Sequence, residues 1–281
     1  MLSIIPLSWK RVILSVLEPL CNRLWKLFPL RVKATILSDA SRSTTGRLDY
    51  KGGNIRLSID SLTSFYRLSS CGKEPGTIAW IEKYVKAGDV FYDIGANIGA
   101  YALVAATKFK PNIQVYAFEP SFSSFAALCR NIQLNGLGNY IIAVNIPLSS
   151  ATGRSEFQYS DLESGSACHP GLTGSSSTQT SGSATFTQVV FTQSIDILVR
   201  NFAFKSPNHI KLDVDGHELQ ILKGAQNVLK SGAVRTIQVE IEEKTEYGKE
   251  IMRFLTELGY RVVEHNIHAN PAVVDYVFEK S

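Results

Sequence analysis

Residues 90–101, VFYDIGANIGAY, constrain the fold more than any other stretch. An apolar, aromatic run suited to a buried strand turns at Gly95 and passes into a helical pattern from Ile98 through Ala106. A strand that feeds a helix through a glycine turn opens a parallel α/β sheet. It also leaves backbone N–H groups at the helix start facing a ligand crevice. The dinucleotide fingerprint asks for three glycines in G-x-G-x-x-G spacing. Here Asn97 and Ala100 hold the second and third places. An asparagine side chain where backbone should approach a pyrophosphate argues against a dinucleotide. A small turn led by Asp93 suits a ligand that carries an amino group and no phosphate.

The segments that follow keep the α/β alternation. Residues 113–120, IQVYAFEP, read as a strand ending at Glu119, twenty residues past Gly99. A carboxylate there can accept hydrogens from both ribose hydroxyls, whereas an amide cannot. Residues 122–134 form a helix whose apolar face is predicted as Phe125, Leu128, Cys129 and Ile132, which makes Cys129 a core residue. Residues 140–149 are a third strand. In 208–218, NHIKLDVDGHE, strand alternation puts Ile210, Leu212 and Val214 on one side and Lys211, Asp213 and Asp215 on the other. Both carboxylates therefore point one way at the carboxyl end of a strand, where open α/β sheets bind ligands. One helix then runs from Glu218 to Gly232 with Leu219, Leu222, Ala225 and Leu229 as its buried stripe. Residues 236–243 give a fifth strand carrying Glu240 and Glu242, followed by a helix ending at Gly259 and two edge strands paired antiparallel.

The motifs DIGANIG, AFEP and IKLDVDGHELQILKGA, in that order, resemble the FkbM family of S-adenosylmethionine-dependent methyltransferases over residues 74–264. The resemblance implies an α/β fold of the Rossmann-like class I methyltransferase type: a mostly parallel seven-stranded sheet with an antiparallel C-terminal edge, here with an added N-terminal helix and hairpin. It implies S-adenosyl-L-methionine as cofactor, held by Glu74, Asp93, Gly95, Asn97, Gly99 and Glu119, with Ser149 or Ser150 beside the adenine. Glu74 also reads as a plain acid at a helix start. The family's Gly-Ser pair is matched by Gly165-Ser166.

The implied reaction is O-methylation of a hydroxyl on a sugar, glycolipid or natural product. A hydroxyl nucleophile gains from a general base within hydrogen-bond reach, and Asp213, Asp215 and His217 are the candidates. A magnesium ion bridging Asp213, Asp215 and Glu240 is chemically reasonable, but a carboxylate network without metal is the preferred reading. A methyltransferase acting on nitrogen or on protein, and a non-catalytic cofactor-binding scaffold at a membrane, are the alternatives.

The rest of the chain bounds these readings. Residues 1–33 mix Trp9, Trp25 and many leucines with lysines and arginines, without an uncharged run long enough to span a bilayer. They read as an amphipathic helix, packed on protein or lying peripherally on a membrane of a cytoplasmic enzyme. Residues 46–60 read as a hairpin, and residues 1–73 together as an N-terminal extension before a methyltransferase domain at 74–281. Within that domain a Gly/Ser/Thr-rich insertion near 165–183 separates two strand-like segments, and His169 beside it could reach the site. A net charge of +4 over 281 residues does not point to nucleic acid; the resemblance implies a small-molecule or glycan acceptor as partner. Cys21, Cys71, Cys129 and Cys168 form no C-x-x-C pair and suit a reducing compartment.

Overall fold

The structure is a computed structural model, and it describes residues 23–166, 171–172, 184–267 and 273–281. The chain divides into two units, Met1–Thr44 and Thr45–Ser281. In the first, α1 spans Leu30–Ser43. Most of the amphipathic segment predicted at 1–33 lies outside the described residues, as does His169. No described helix is long and apolar enough to cross a membrane.

The second unit opens with β1 (Thr45–Arg47) and β2 (Arg56–Ser58), an antiparallel hairpin. Leu48, Ile55 and Leu57 around it are fully buried in the main core. The hairpin thus belongs to the unit that begins at Thr45. Three short helical pieces follow: α2 (Leu62–Tyr66), a single 3-10 turn at Arg67–Ser69, and α3 (Ser70–Lys73). Next come α4 (Pro75–Tyr84), β3 (Val90–Ile94), α5 (Ala100–Phe109), β4 (Gln114–Phe118), α6 (Phe122–Leu134) and β5 (Ile141–Val144). An inserted sheet is formed by β6 (Gly153–Tyr159), β7 (Gly171–Leu172) and β8 (Phe186–Thr192). The α/β alternation resumes with α7 (Ile195–Asn201), β9 (His209–Leu212), α8 (Glu218–Lys223), α9 (Gln226–Lys230) and β10 (Thr236–Ile241). It closes with α10 (Glu246–Glu257), β11 (Tyr260–Ile267) and β12 (Val274–Lys280).

The main sheet has seven strands in the order β11-β12-β10-β9-β3-β4-β5. From β10 to β5 every pairing is parallel, and β12 alone among the seven runs against its neighbours. All five residues of β3 are buried, as expected of a central strand covered on both faces. Its side chains alternate between two cores. Phe91 joins Trp80 and Val115 on one face; Tyr92 and Ile94 join Phe118 and Leu212 on the other. The inserted sheet keeps a small core of its own, Phe157, Tyr159, Leu172 and Val190.

Two local predictions are corrected. The helix foreseen from Glu218 to Gly232 is broken in two at Gly224, where a Cβ would stand 2.1 Å from the Ser149 carbonyl oxygen. The loop after β5 crosses so closely that only glycine fits. Asp196 then caps the second piece, accepting from the Asn227 and Val228 amides at 3.0 and 2.9 Å. Cys129 is exposed, not core. The buried face of α6 is turned toward polar Ser124 and Asn131. Asn131 accepts from the Ser58 amide at 2.8 Å and donates to the Ile98 carbonyl at 2.9 Å, docking the hairpin on the helix.

Candidate functional site

The carboxyl ends of β3, β4 and β9 meet at one crevice. Between β3 and α5 the chain takes three left-handed residues at alternate positions, Gly95 (φ 83°), Asn97 (φ 51°) and Gly99 (φ 93°). Asparagine is one of the few side-chain-bearing residues that accept this region readily. A Cβ on Gly95 would stand 1.9 Å from the Asp213 carbonyl oxygen, so the turn is pressed directly against the end of β9.

Asn97 serves three contacts. Its backbone N–H donates to Glu119 Oε2 at 2.7 Å, its Oδ1 accepts from the Ile98 amide at 2.9 Å, and its Nδ2 donates to the Ser166 carbonyl at 2.8 Å. Glu119 Oε1 accepts from the Ser121 amide at 2.8 Å. Each oxygen of Glu119 is thus held by one backbone N–H and keeps further lone-pair capacity at the cavity wall. Burial pushes its carboxyl up to about 7, with the Ser121 and Asn97 amides pulling the other way.

Asp93 lies behind the turn, not in the cavity. Its Oδ2 accepts from the Ala102 amide at 2.9 Å and so braces the first turn of α5. Its Oδ1 is buried without a hydrogen-bond partner among the described residues. Burial raises its carboxyl to about 6.

The opposite wall is built from β9, β10 and the loop after β9. Lys211 is buried, 2.7 Å from Asp213 and with its ammonium 4.7 Å from the centre of the Tyr101 ring. Burial alone would strip its charge, yet Asp213, Glu74 and Asp93 hold it charged. Burial would also raise Asp213, but Lys211 and a hydrogen bond from Glu240 overrule it and hold the carboxyl well below its ordinary value. Burial, then Asp213, drives Glu240 the other way, so it keeps its proton. Among the described residues no three His, Cys, Asp or Glu side chains are arranged to hold a metal ion. Asp213 has an ammonium and a carboxylic acid as neighbours.

His217 lines the cavity at the start of α8. Its ring makes no hydrogen bond among the described residues, and burial lowers its pKa, so it is neutral at physiological pH. Behind it, buried Glu218 accepts from the Gly216 amide at 3.2 Å, and the Tyr247 hydroxyl donates to the Gly216 carbonyl at 3.0 Å. These contacts pin the loop that presents Asp213, Asp215 and His217.

Of the sequence-predicted site residues, Glu74, Gly95, Asn97, Glu119, Asp213, Asp215 and His217 line one cavity. Asp215 is the exposed member. Asp93 and Gly99 shape the turn from behind. Ser149 is not among the lining residues; Ile146, Pro147 and Leu148 supply an apolar wall instead, suited to the flat face of a base. Sequence reasoning missed Arg67 and Tyr101 and gave Lys211 no role. The lysine had left a signal, because a charge in the middle of an otherwise apolar strand calls for a buried partner.

The donor set fits S-adenosylmethionine. Glu119 can accept from ribose, the Ile146–Leu148 wall can cover adenine, and Glu74, Asp213 and Glu240 form an acidic end for the positively charged methionine portion.

Residues 93–262 match the Methyltransferase FkbM domain. Hexuronic acid methyltransferase AglP of Haloferax volcanii is 30% identical over 209 residues, covering 74% of this chain and 79% of that protein. The 31-O-demethyl-FK506 methyltransferase FkbM of Streptomyces tacrolimicus is 34% identical over 86 residues, 31% of this chain and 32% of that one. A crystal structure of a methyltransferase FkbM from Methylobacillus flagellatus KT superposes with a TM-score of 0.51 at 14% identity. It covers 77% of this chain and 52% of that one, and it supports the shared fold.

Proposed function

The chain belongs to the FkbM family of S-adenosylmethionine-dependent methyltransferases, and from that premise we propose that it methylates a hydroxyl oxygen of a sugar or similar small polyhydroxylated acceptor. When bound, the cofactor supplies a methyl group carried on a positively charged sulfur. Glu119 holds the ribose through its free lone pairs. Asp213, ionised beside Lys211, offers carboxylate oxygens at the far end of the cavity as acceptors for an ammonium. The neutral His217 ring would take the proton of the acceptor hydroxyl when the methyl group leaves the sulfonium sulfur for that oxygen and S-adenosylhomocysteine is released.

The observation that carries this reading is the neutral His217 ring, without a hydrogen bond among the described residues, on the same cavity as the braced Glu119 carboxylate. Asp213 is the weaker choice of base, because the contacts that keep it ionised also lower its proton affinity. Asp215 stands at the exposed rim.

The test is transfer of a labelled methyl group from S-adenosylmethionine to a panel of sugars, glycans and secondary alcohols. Label appearing as an alkali-stable methyl ether supports the proposal. Label confined to amines or protein side chains would replace it with N-methylation. Tight binding of S-adenosylhomocysteine without transfer to any acceptor would favour a scaffold.

A further inference from the structure

The cavity has an arginine that the reaction so far leaves unused. Arg67 sits on the 3-10 turn between α2 and α3, partly buried, and lines the cavity. Its Nε donates to the Gly165 carbonyl at 3.0 Å. Gly165 belongs to a short segment tied down on both sides. Ser61 Oγ donates to the Ser164 carbonyl at 2.9 Å, the Gly165 amide donates to Ser124 Oγ at 3.2 Å, and Asn97 Nδ2 holds the Ser166 carbonyl. One edge of the guanidinium is therefore fixed by a fixed carbonyl. The two terminal nitrogens have no hydrogen-bond or ion-pair partner among the described residues.

The other cations near the cavity are engaged. Lys211 is 2.7 Å from Asp213, and Lys73 is 3.8 Å from Glu74. Arg67 lines the same cavity as Glu119 and Asp213 and acts electrostatically on both. A guanidinium with its Nε edge committed offers a planar pair of donors, the shape that matches the two oxygens of a carboxylate. The cavity is otherwise acidic, so a free acid would be repelled from it unless this fork received the charge.

Resting on the methyltransferase reading above, we propose that Arg67 is the specificity-determining residue for the acceptor and that the acceptor is an acidic sugar. Its carboxylate is gripped by the terminal nitrogens of Arg67 while one of its hydroxyls faces His217.

The experiment is calorimetry on the full chain loaded with S-adenosylhomocysteine, titrated with p-nitrophenyl β-D-glucuronide and with the neutral p-nitrophenyl β-D-glucoside. The two probes differ in the carboxylate alone. Parent protein is expected to bind the glucuronide at least about tenfold more tightly, the range of one charge-assisted pair. Arg67→Gln should erase that preference while S-adenosylhomocysteine affinity changes less than about twofold. Arg67→Lys, which keeps the charge and loses the fork, should recover only part of it. Equal binding of both probes by the parent, binding of neither, or a preference that survives in Arg67→Gln would overturn the proposal. So would an Arg67→Gln variant that loses the cofactor product and keeps the glucuronide preference, since Arg67 would then be holding the methionine carboxylate. Failure of the parent to bind S-adenosylhomocysteine would overturn the cofactor reading itself, which separates the two.

Discussion

The two ends of the cavity hold their carboxylates by different means. At the β3–β4 end, Asp93 and Glu119 are fastened by backbone amides of Ala102, Asn97 and Ser121, and among the described residues neither forms an ion pair, Lys211 and Arg67 acting on them only through space. At the β9–β10 end, Asp213 is fastened by side chains, the Lys211 ammonium and the Glu240 carboxylic acid. Backbone donors cost nothing further to order once the turn has folded and cannot titrate. Side-chain partners can exchange protons and be replaced one at a time. The first arrangement suits a constant ligand, the cofactor. The second suits the place where the charged methionine portion meets the acceptor, and where charge must be matched.

The two ends touch at Gly95, and that contact is where the comparison breaks most easily. Gly95→Ala combines left-handed strain with a clash against the Asp213 carbonyl, each worth about 1–3 kcal/mol. Chemical denaturation of the ligand-free protein should register a loss of roughly 4 kcal/mol. A variant as stable as its parent would mean that the turn and the β9 end move independently.

At the acceptor end, His217→Gln should lower kcat by about a hundredfold, the lower part of the range for a positioned base, and leave cofactor affinity intact. The parent rate should fall on acidification through a pH below 6.5, where His217 takes its proton. The variant should lose that limb. An unchanged pH–rate profile would return the role of base to Asp213 or Asp215.

At the cofactor end, Glu119→Ala should weaken S-adenosylhomocysteine binding by about 1.5–3 kcal/mol. Because Glu119 holds its proton below about 7 in the ligand-free protein, parent affinity should also weaken between pH 8 and pH 6. A flat profile in the parent would show that the ribose does not need the ionised acid.

A smaller effect concerns stability. Burial raises Glu218 from 4.5 to about 8, so between those values the folded chain keeps a proton that the unfolded chain has released. Stability from this group is fully present below pH 4.5 and is lost as pH rises through about 8. His209 and His217, both lowered, contribute an opposite slope that ends near pH 6.5. From pH 6.5 to 8.5 the thermal midpoint of the ligand-free protein should therefore fall, and Glu218→Gln should flatten the fall. Deleting residues 1–44, a unit distinct from the methyltransferase unit, should change cofactor affinity by less than about twofold.

The β3–β4 end of the candidate site was legible in the sequence because its residues are local. Asp93, Gly95, Asn97 and Gly99 lie within seven consecutive residues, and Glu119 follows by strand-to-strand spacing that the fold repeats. The acceptor end was readable only in part. Asp213, Asp215 and His217 announce themselves at a strand end. What they do depends on Arg67, Tyr101 and Glu240, which lie more than a hundred residues away or on another strand, and no spacing rule connects them. The hairpin at 45–58 was seen as a hairpin but not as core, because its burial depends on Asn131 reaching across from α6. The break at Gly224 had the same cause: a loop 75 residues earlier passes over it.

The order of strands also sets which strand each edge must wait for as the chain is made. β12, last of the seven in the chain, lies between β10 and β11. β11 pairs with no other strand of the sheet, so when it forms it has nothing to zip onto until β12 arrives. A chain emerging amino end first therefore carries β10 with an open edge through the synthesis of α10 and β11, a stretch during which that edge is vulnerable to pairing with another molecule. β12 also brings Asp275 opposite Glu240, and its negative charge helps keep the proton on Glu240. The protonation pattern of the acceptor end is thus not a property of the nascent Rossmann half. It is complete only once β12 is paired with β10.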